Sequence, residues 1–176
     1  MATILFVIAK KGFRDEEYFI PREVLEAAGH TVVTASNKEA GAVATGSRGR
    51  EAHIDEHIAG VKTAEFDAVV FAGGPGAVEN LDNEESYRLI REAVAAHKLL
   101  GAICIAPTIL AKAGALRGKQ AAVWTSSTDK SPIAILENNG ALYTDAPVVE
   151  DGTIITANGP KAAQAFGEAL AARLPL

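Results

Sequence analysis

The chain has one cysteine, one tryptophan and one methionine among its 176 residues. A lone cysteine excludes an internal disulfide, and nothing points to an oxidising compartment. Basic residues are outnumbered: 17 Lys and Arg stand against 22 Asp and Glu, a formal charge of −5. That balance argues against nucleic acid or an anionic membrane surface as partner. No apolar run approaches the length of a membrane span. The amino end lacks the basic segment, long apolar stretch and small-residue cleavage site of a secretion signal. Histidines are few: His30, His53, His57 and His97. His53 and His57 are four apart, but no third ligand is spaced to match them, so no metal is expected. His30 and His97 fall at element ends and are expected to be exposed. No internal repeat, low-complexity tract or linker divides the chain. What remains is one domain over residues 1–176, expected in the cytoplasm. Its composition is ordinary, 48% hydrophobic and 22% charged, and its length suffices for a sizeable core.

Short apolar runs alternate with amphipathic segments. Thr3–Ala9 reads as a central strand, 10–15 as a loop, and Glu16–Ala28 as a helix with Phe19, Ile20, Val24, Leu25 and Ala28 at helical spacing. Pro21 starts the regular part of that helix or bends it. Gly29 stops it, and His30–Ser36 reads as the next strand. The three make a βαβ unit with a parallel pair. Segment 37–63 is irregular and punctuated by Gly41, Gly46 and Gly49; its weak alternation suggests a small hairpin. Further strands are read at 68–72, 99–103, 120–124 and 153–157, with two short β-pieces near Leu142 and Val148. Helices are read at 83–97, from Ala106 onward, at 132–138 and at 160–174. Such alternation predicts an α/β fold with a mainly parallel central sheet covered on both faces.

Cys104 follows the apolar run Leu99–Ile103, and Pro107 then suits a first helical turn. The thiol therefore falls on a sharp strand-to-helix turn, a nucleophile elbow above the carboxyl edge of the sheet. The nearby helix start favours a thiolate, which predicts a thiol more acidic than free cysteine. In such sheets ligands bind beyond the carboxyl ends of the strands. Four segments end there: 10–17, Gly73–Gly76, 104–106 and 158–160. Gly73-Gly74-Pro75-Gly76 lets backbone approach a bound group, and its N–H groups suit an oxyanion; alternatively it is only a turn. It lacks the spacing of a dinucleotide fingerprint and the Lys and Ser/Thr of a P-loop. Asp15, Glu16 and Glu17 open a helix. Asp15 and Glu16 read as charges complementing the helix dipole. One of the three acids, turned into the cleft beside a thiolate, would have a raised pKa and move protons; the residue pattern does not choose which.

Several of these motifs, in this order, resemble the ThiJ/PfpI superfamily: Glu17-Tyr18-Phe19-Ile20-Pro21, Ala72-Gly73-Gly74-Pro75-Gly76, Gly101-Ala102-Ile103-Cys104-Ile105-Ala106-Pro107 and Asn158-Gly159-Pro160. The likeness runs through nearly the whole chain. It implies a flavodoxin-like three-layer sandwich, related to the glutamine amidotransferase fold, and usually a homodimer. It implies that Glu17, four residues before Pro21, faces Cys104. By the same likeness Gly74 and Ile105 supply oxyanion N–H groups, with Gly73, Ser126 and Asn158 as further binding candidates. Ser47-Arg48 resembles a pair that reaches the partner subunit's cleft. Two departures matter. Protease-like members carry His directly after the nucleophile, where this chain has Ile105. Other members supply His from a later loop, where this chain reads Trp124-Thr125-Ser126. Without an imidazole beside the thiol there is no Cys-His pair for peptide or glutamine hydrolysis.

The expected function is a cysteine-dependent enzyme acting on small reactive carbonyls, of glyoxalase or deglycase type. Cys104 is the nucleophile, Glu17 the general acid/base, and neither metal nor cofactor takes part. Two alternatives belong to other classes: a redox-responsive stress protein or holdase with an oxidisable Cys104, and a hydratase of another small electrophile.

Overall fold

The apolar run at the amino end is an interior strand of the sheet. In the computed structural model, which describes residues 1–175, β1 (Thr3–Ile8) is followed by β2 (Lys11–Phe13), α1 (Asp15–Ala27) and β3 (Thr31–Ser36). A hairpin of β4 (Val43–Gly46) and β5 (Glu51–His53) precedes the two-residue strand β6 (Glu56–His57). Then come β7 (Ala68–Phe71), α2 (Ala77–Leu81), α3 (Glu84–Ala95), β8 (Leu99–Ile103) and α4 (Pro107–Lys112). β9 (Gln120–Ala121), α5 (Ser131–Asn138), β10 (Leu142–Tyr143), β11 (Val148–Asp151), β12 (Ile154–Ala157) and α6 (Ala163–Arg173) follow.

Seven strands form the main sheet in the order β11-β12-β8-β7-β1-β3-β6. All neighbours are parallel except β11, which runs antiparallel to β12. Every residue of β7, β8 and β12 is buried, as both covered faces of a parallel sheet require. α1 packs along α6, and together they contact β3, β8 and β12; α3 and α4 pack together and contact β7 and β8. The α1–α6 approach depends on Gly167, where a Cβ would lie 2.9 Å from Pro21 Cα. Pro21 lies inside α1, which starts at Asp15 rather than at the proline.

Three local expectations are corrected. The loop read at 10–15 contains β2, which pairs with β4 to make a three-stranded sheet β2-β4-β5; three residues are too few to show alternation. The strand read over 120–124 is regular only at β9, which pairs with β10 in a separate two-stranded sheet. Beyond β9 the backbone is used otherwise: Ala122 N donates to Thr156 Oγ1 at 2.9 Å and Trp124 N to Cys104 O at 2.8 Å. His30 is buried rather than exposed, and its Nδ1 accepts from Ala2 N at 3.2 Å. Among the described residues no helix is long and apolar enough to cross a membrane.

The chain leaves β1 for β3 on one side and later adds β7 on the other. β1 and β7 therefore flank the point where strand order reverses, and the crevice beyond their carboxyl ends is the ligand position of such a sheet.

Candidate active site

Cys104 leaves β8 with φ +65°. A side chain in this left-handed region costs about 1 kcal/mol or more, so surrounding structure must hold it there. Two bonds do so. Cys104 N donates to Ala157 O at 2.9 Å, and Cys104 O accepts from Trp124 N. α4 begins three residues later at Pro107. The elbow read in the sequence is thus a clamped turn between β8 and α4.

The glycine turn after β7 meets this elbow. A Cβ on Gly73 would lie 2.7 Å from Cys104 Cβ and 2.8 Å from Glu17 Oε2. One on Gly74, where φ is +111°, would lie 2.3 Å from Arg14 N. Three chain segments converge here with no room for side chains. Gly73 O accepts from Arg14 N at 3.0 Å, and Gly73 N donates to Glu17 Oε2 at 3.0 Å.

Glu17 is fully buried. Oε1 is also buried and has no partner at hydrogen-bond geometry among the described residues. Burial raises the Glu17 pKa from 4.5 to about 7; the adjacent Cys104 thiol, the Gly73 N–H and the charge of Arg14 pull it back down. The thiol is pushed up first by burial, then by the neighbouring Glu17 carboxyl. The N–H groups of Gly74 and Ile105 oppose this by stabilising the thiolate. The acidified thiol expected from the helix start is therefore corrected. Desolvation and the neighbouring carboxylate outweigh two N–H donors.

A cavity of about 390 Å³ opens over the pair. Glu17 and Cys104 line it, with Gly74 and Ile105 beside the sulfur, Arg14 as the cation, and Pro75, Val78 and Trp124 as apolar wall. Among the described residues neither Gly74 N nor Ile105 N donates to a backbone carbonyl; both act on the Cys104 sulfur.

Five residues singled out in the sequence meet here: Cys104, Glu17, Gly73, Gly74 and Ile105. Three do not line the cavity. Ser126 Oγ closes its own turn, accepting from Asp129 N at 3.0 Å and Thr128 N at 3.3 Å. Asn158 bonds through its backbone N to Pro147 O at 3.0 Å. Arg48 is exposed in the β4–β5 turn, its N donating to Asp15 Oδ2 at 2.7 Å. Asp15 is accordingly corrected. It is buried and also accepts from Arg50 N at 2.9 Å, so it ties the hairpin to α1 rather than merely complementing a dipole. Glu16 pairs with Arg14, Nε to Oε2 at 2.7 Å.

Sequence reasoning missed Arg14, Pro75 and Val78 as lining, and noted Trp124 only as the place of an absent histidine. Arg14 carried one usable signal, its position on the carboxyl edge between β1 and Glu17. No histidine lines the cavity; the indole of Trp124 stands where an imidazole was sought. No group of three or more His, Cys, Asp or Glu side chains among the described residues is arranged to hold a metal ion.

Comparison with known proteins gives a family model described as the DJ-1/PfpI family, matching residues 2–173. The dj-1beta protein of Drosophila melanogaster is 34% identical over 176 residues, 99% of this chain and 90% of its own. Its crystal structure matches with a TM-score of 0.85 at 33% identity, covering 99% of this chain and 91% of that one. A Pyrococcus horikoshii relative named as a deglycase is 32% identical over 157 residues, 89% of this chain and 90% of its own. A Bacillus subtilis relative carrying a cysteine-protease name is 32% identical over 166 residues, 94% of this chain and 95% of its own.

Proposed function

The chain belongs to the DJ-1/PfpI family, and from that membership we propose that it is a cysteine-dependent enzyme of small reactive carbonyls, of glyoxalase or deglycase type. The observation that carries this reading is the placement of Cys104, at φ +65°, against the buried carboxyl of Glu17, which titrates at about 7. A carboxyl poised near neutral pH both takes and returns protons. The deglycase-named relative supports the same class.

With methylglyoxal, the Cys104 sulfur adds to the aldehyde carbon while its proton passes to Glu17. The carbonyl electron pair moves onto oxygen, held by Gly74 N–H and Ile105 N–H. Glu17 protonates that oxygen, giving the hemithioacetal. As carboxylate it then removes the C1 proton and the electrons form an enediolate with its charge on the C2 oxygen; the C1 hydroxyl proton passes to that oxygen as the C1 carbonyl forms, and Glu17 returns its proton to C2. The result is a lactoyl thioester, and water releases lactate and restores the thiol. Proteolysis is not proposed: no imidazole stands beside Cys104 to protonate a leaving amine. A casein digest that stayed intact in wild type would agree, and cleavage lost in Cys104→Ala would contradict it.

A substrate panel on wild type, Cys104→Ala and Glu17→Gln tests the reading. Repeated turnover of methylglyoxal to lactate is expected in wild type alone. Wild-type rates in Glu17→Gln would remove its proton carrier.

The redox reading rests on the same pair. Glu17 Oε1 has no hydrogen-bond partner among the described residues and, protonated, would donate to an oxidised sulfur. One stoichiometric oxidation by peroxide with no carbonyl turnover would favour it. We also propose a homodimer in which the exposed turn carrying Arg48 reaches the partner's cleft, since Arg48 lines no part of its own.

A further inference from the structure

The cavity over Cys104 holds a cation that the carbonyl chemistry does not use. Arg14 sits at the N-cap of α1 with extended backbone, φ −78° and ψ 117°. Its N is bonded to Gly73 O at 3.0 Å, which fixes its position beside the glycine turn. Glu16 takes Nε at 2.7 Å and aligns the guanidinium. The two Nη atoms donate to no acceptor among the described residues. They form the side-by-side pair that a planar carboxylate accepts in bidentate fashion. Other than Glu17 and Cys104 at the base, the remaining wall is uncharged, so among the described residues Arg14 is the one cation lining the cavity. Its charge is felt by both reacting groups. Glu16 offsets part of that charge. It lies on the Nε edge, however, and so leaves the Nη end to a ligand.

We propose that Arg14 is a carboxylate subsite beside Cys104, so that the carbonyl compounds this site selects carry a carboxylate at the end away from the aldehyde. The anion subsite stands on geometry alone; the substrate class rests on the function proposed above. A five-carbon 2-oxoaldehyde acid such as 4,5-dioxopentanoate has the required form. Sulfur adds to its aldehyde carbon C5, the C5 proton moves to C4 through the enediol, and one water cleaves the thioester. The product is 2-hydroxyglutarate, with no oxidant or reductant consumed.

Cys104 itself reports the subsite through two alkylating reagents of similar shape, iodoacetate and iodoacetamide. Any change in thiol ionisation affects both, so the ratio of their rates isolates the effect of reagent charge. In wild type the iodoacetate-to-iodoacetamide ratio is expected about tenfold above that of free cysteine, as a charge-assisted bidentate contact warrants. In Arg14→Gln it falls to the free-cysteine value, and in Arg14→Lys, which keeps the charge but not the fork, it lies between. Equal ratios in wild type and Arg14→Gln overturn the subsite.

Turnover separates this from the proposed reaction. Wild type is expected to prefer 4,5-dioxopentanoate to methylglyoxal by about tenfold in kcat/KM, mostly through KM, and Arg14→Gln to lose that preference. Charge-selective alkylation with no turnover of either compound upholds the subsite and overturns the enzyme reading. Methylglyoxal turnover with no preference and a free-cysteine alkylation ratio does the reverse.

Discussion

At the scale of single residues, Glu17 ties stability to function. Its folded-state pKa of about 7 lies above the ordinary 4.5, so the folded protein binds this proton more tightly than the unfolded chain. The associated stability is complete below about pH 4.5 and is lost as pH rises through 7, a difference of about 3 kcal/mol. Glu17→Gln should therefore be more stable than wild type at pH 8, with the gain vanishing at pH 4.5. Denaturant midpoints at the two pH values check this, and equal gains at both would contradict burial as the cause. The same ionisation should appear in chemistry. Iodoacetamide alkylation of Cys104 is expected to rise with an inflection near pH 7 that Glu17→Gln removes. Cys104 carries its own cost at φ +65°. Glycine suffers no Cβ penalty there, so Cys104→Gly should be about 1 kcal/mol more stable than Cys104→Ala, reversing the usual order. Urea titration of the two variants decides it.

At the scale of elements, the site is a meeting of turns rather than of regular structure. β1 and β7 end side by side, and the segments after them interlock: Gly76 N bonds to Gly12 O at 2.9 Å, Arg14 N to Gly73 O at 3.0 Å. A third element is tied in by Asp15, whose two oxygens accept from Arg48 N and Arg50 N. Arg50 also lies 3.6 Å over the Phe19 ring. Asp15→Ala would strand those two N–H groups and release the β4–β5 hairpin from α1. The expected loss is about 2–3 kcal/mol, with faster hydrogen exchange at the Arg48 and Arg50 amides. Exchange unchanged at those amides would show that the hairpin is held elsewhere.

At the scale of the whole molecule, the exposed turn of the β4–β5 hairpin, which carries Arg48, lies outside the chain's own cavity. If Arg48 completes a partner's cleft, sedimentation at micromolar concentration should give a dimer. A monomer with full methylglyoxal turnover would leave Arg48 without that role. The layered arrangement also explains why Glu17 is so dry: it rises from a helix packed on α6 and is fully buried. Cys104, leaving a strand with both faces covered, is half-buried at the cavity.

Periodicity alone was enough for the sheet's interior and the elbow. β8 has the bounds read from its apolar run, and Pro107 begins the following helix, because strand and helix periods are local properties of the chain. Motif likeness brought Glu17, Gly73, Gly74, Cys104 and Ile105 into one group; Gly73 and Gly74 are there because their turn has no room for a Cβ. Tertiary structure decided what depends on distant partners. His30 is buried because Ala2 N needs an acceptor, and Asp15 because a hairpin thirty residues away presents two N–H groups. Ser126 is consumed by its own turn. The thiol is held up rather than acidified because desolvation is a property of the packed layers, and no residue pattern encodes it. Arg14 reaches the cavity because β2 and the glycine turn lock together, a contact between segments about sixty residues apart that local sequence does not express.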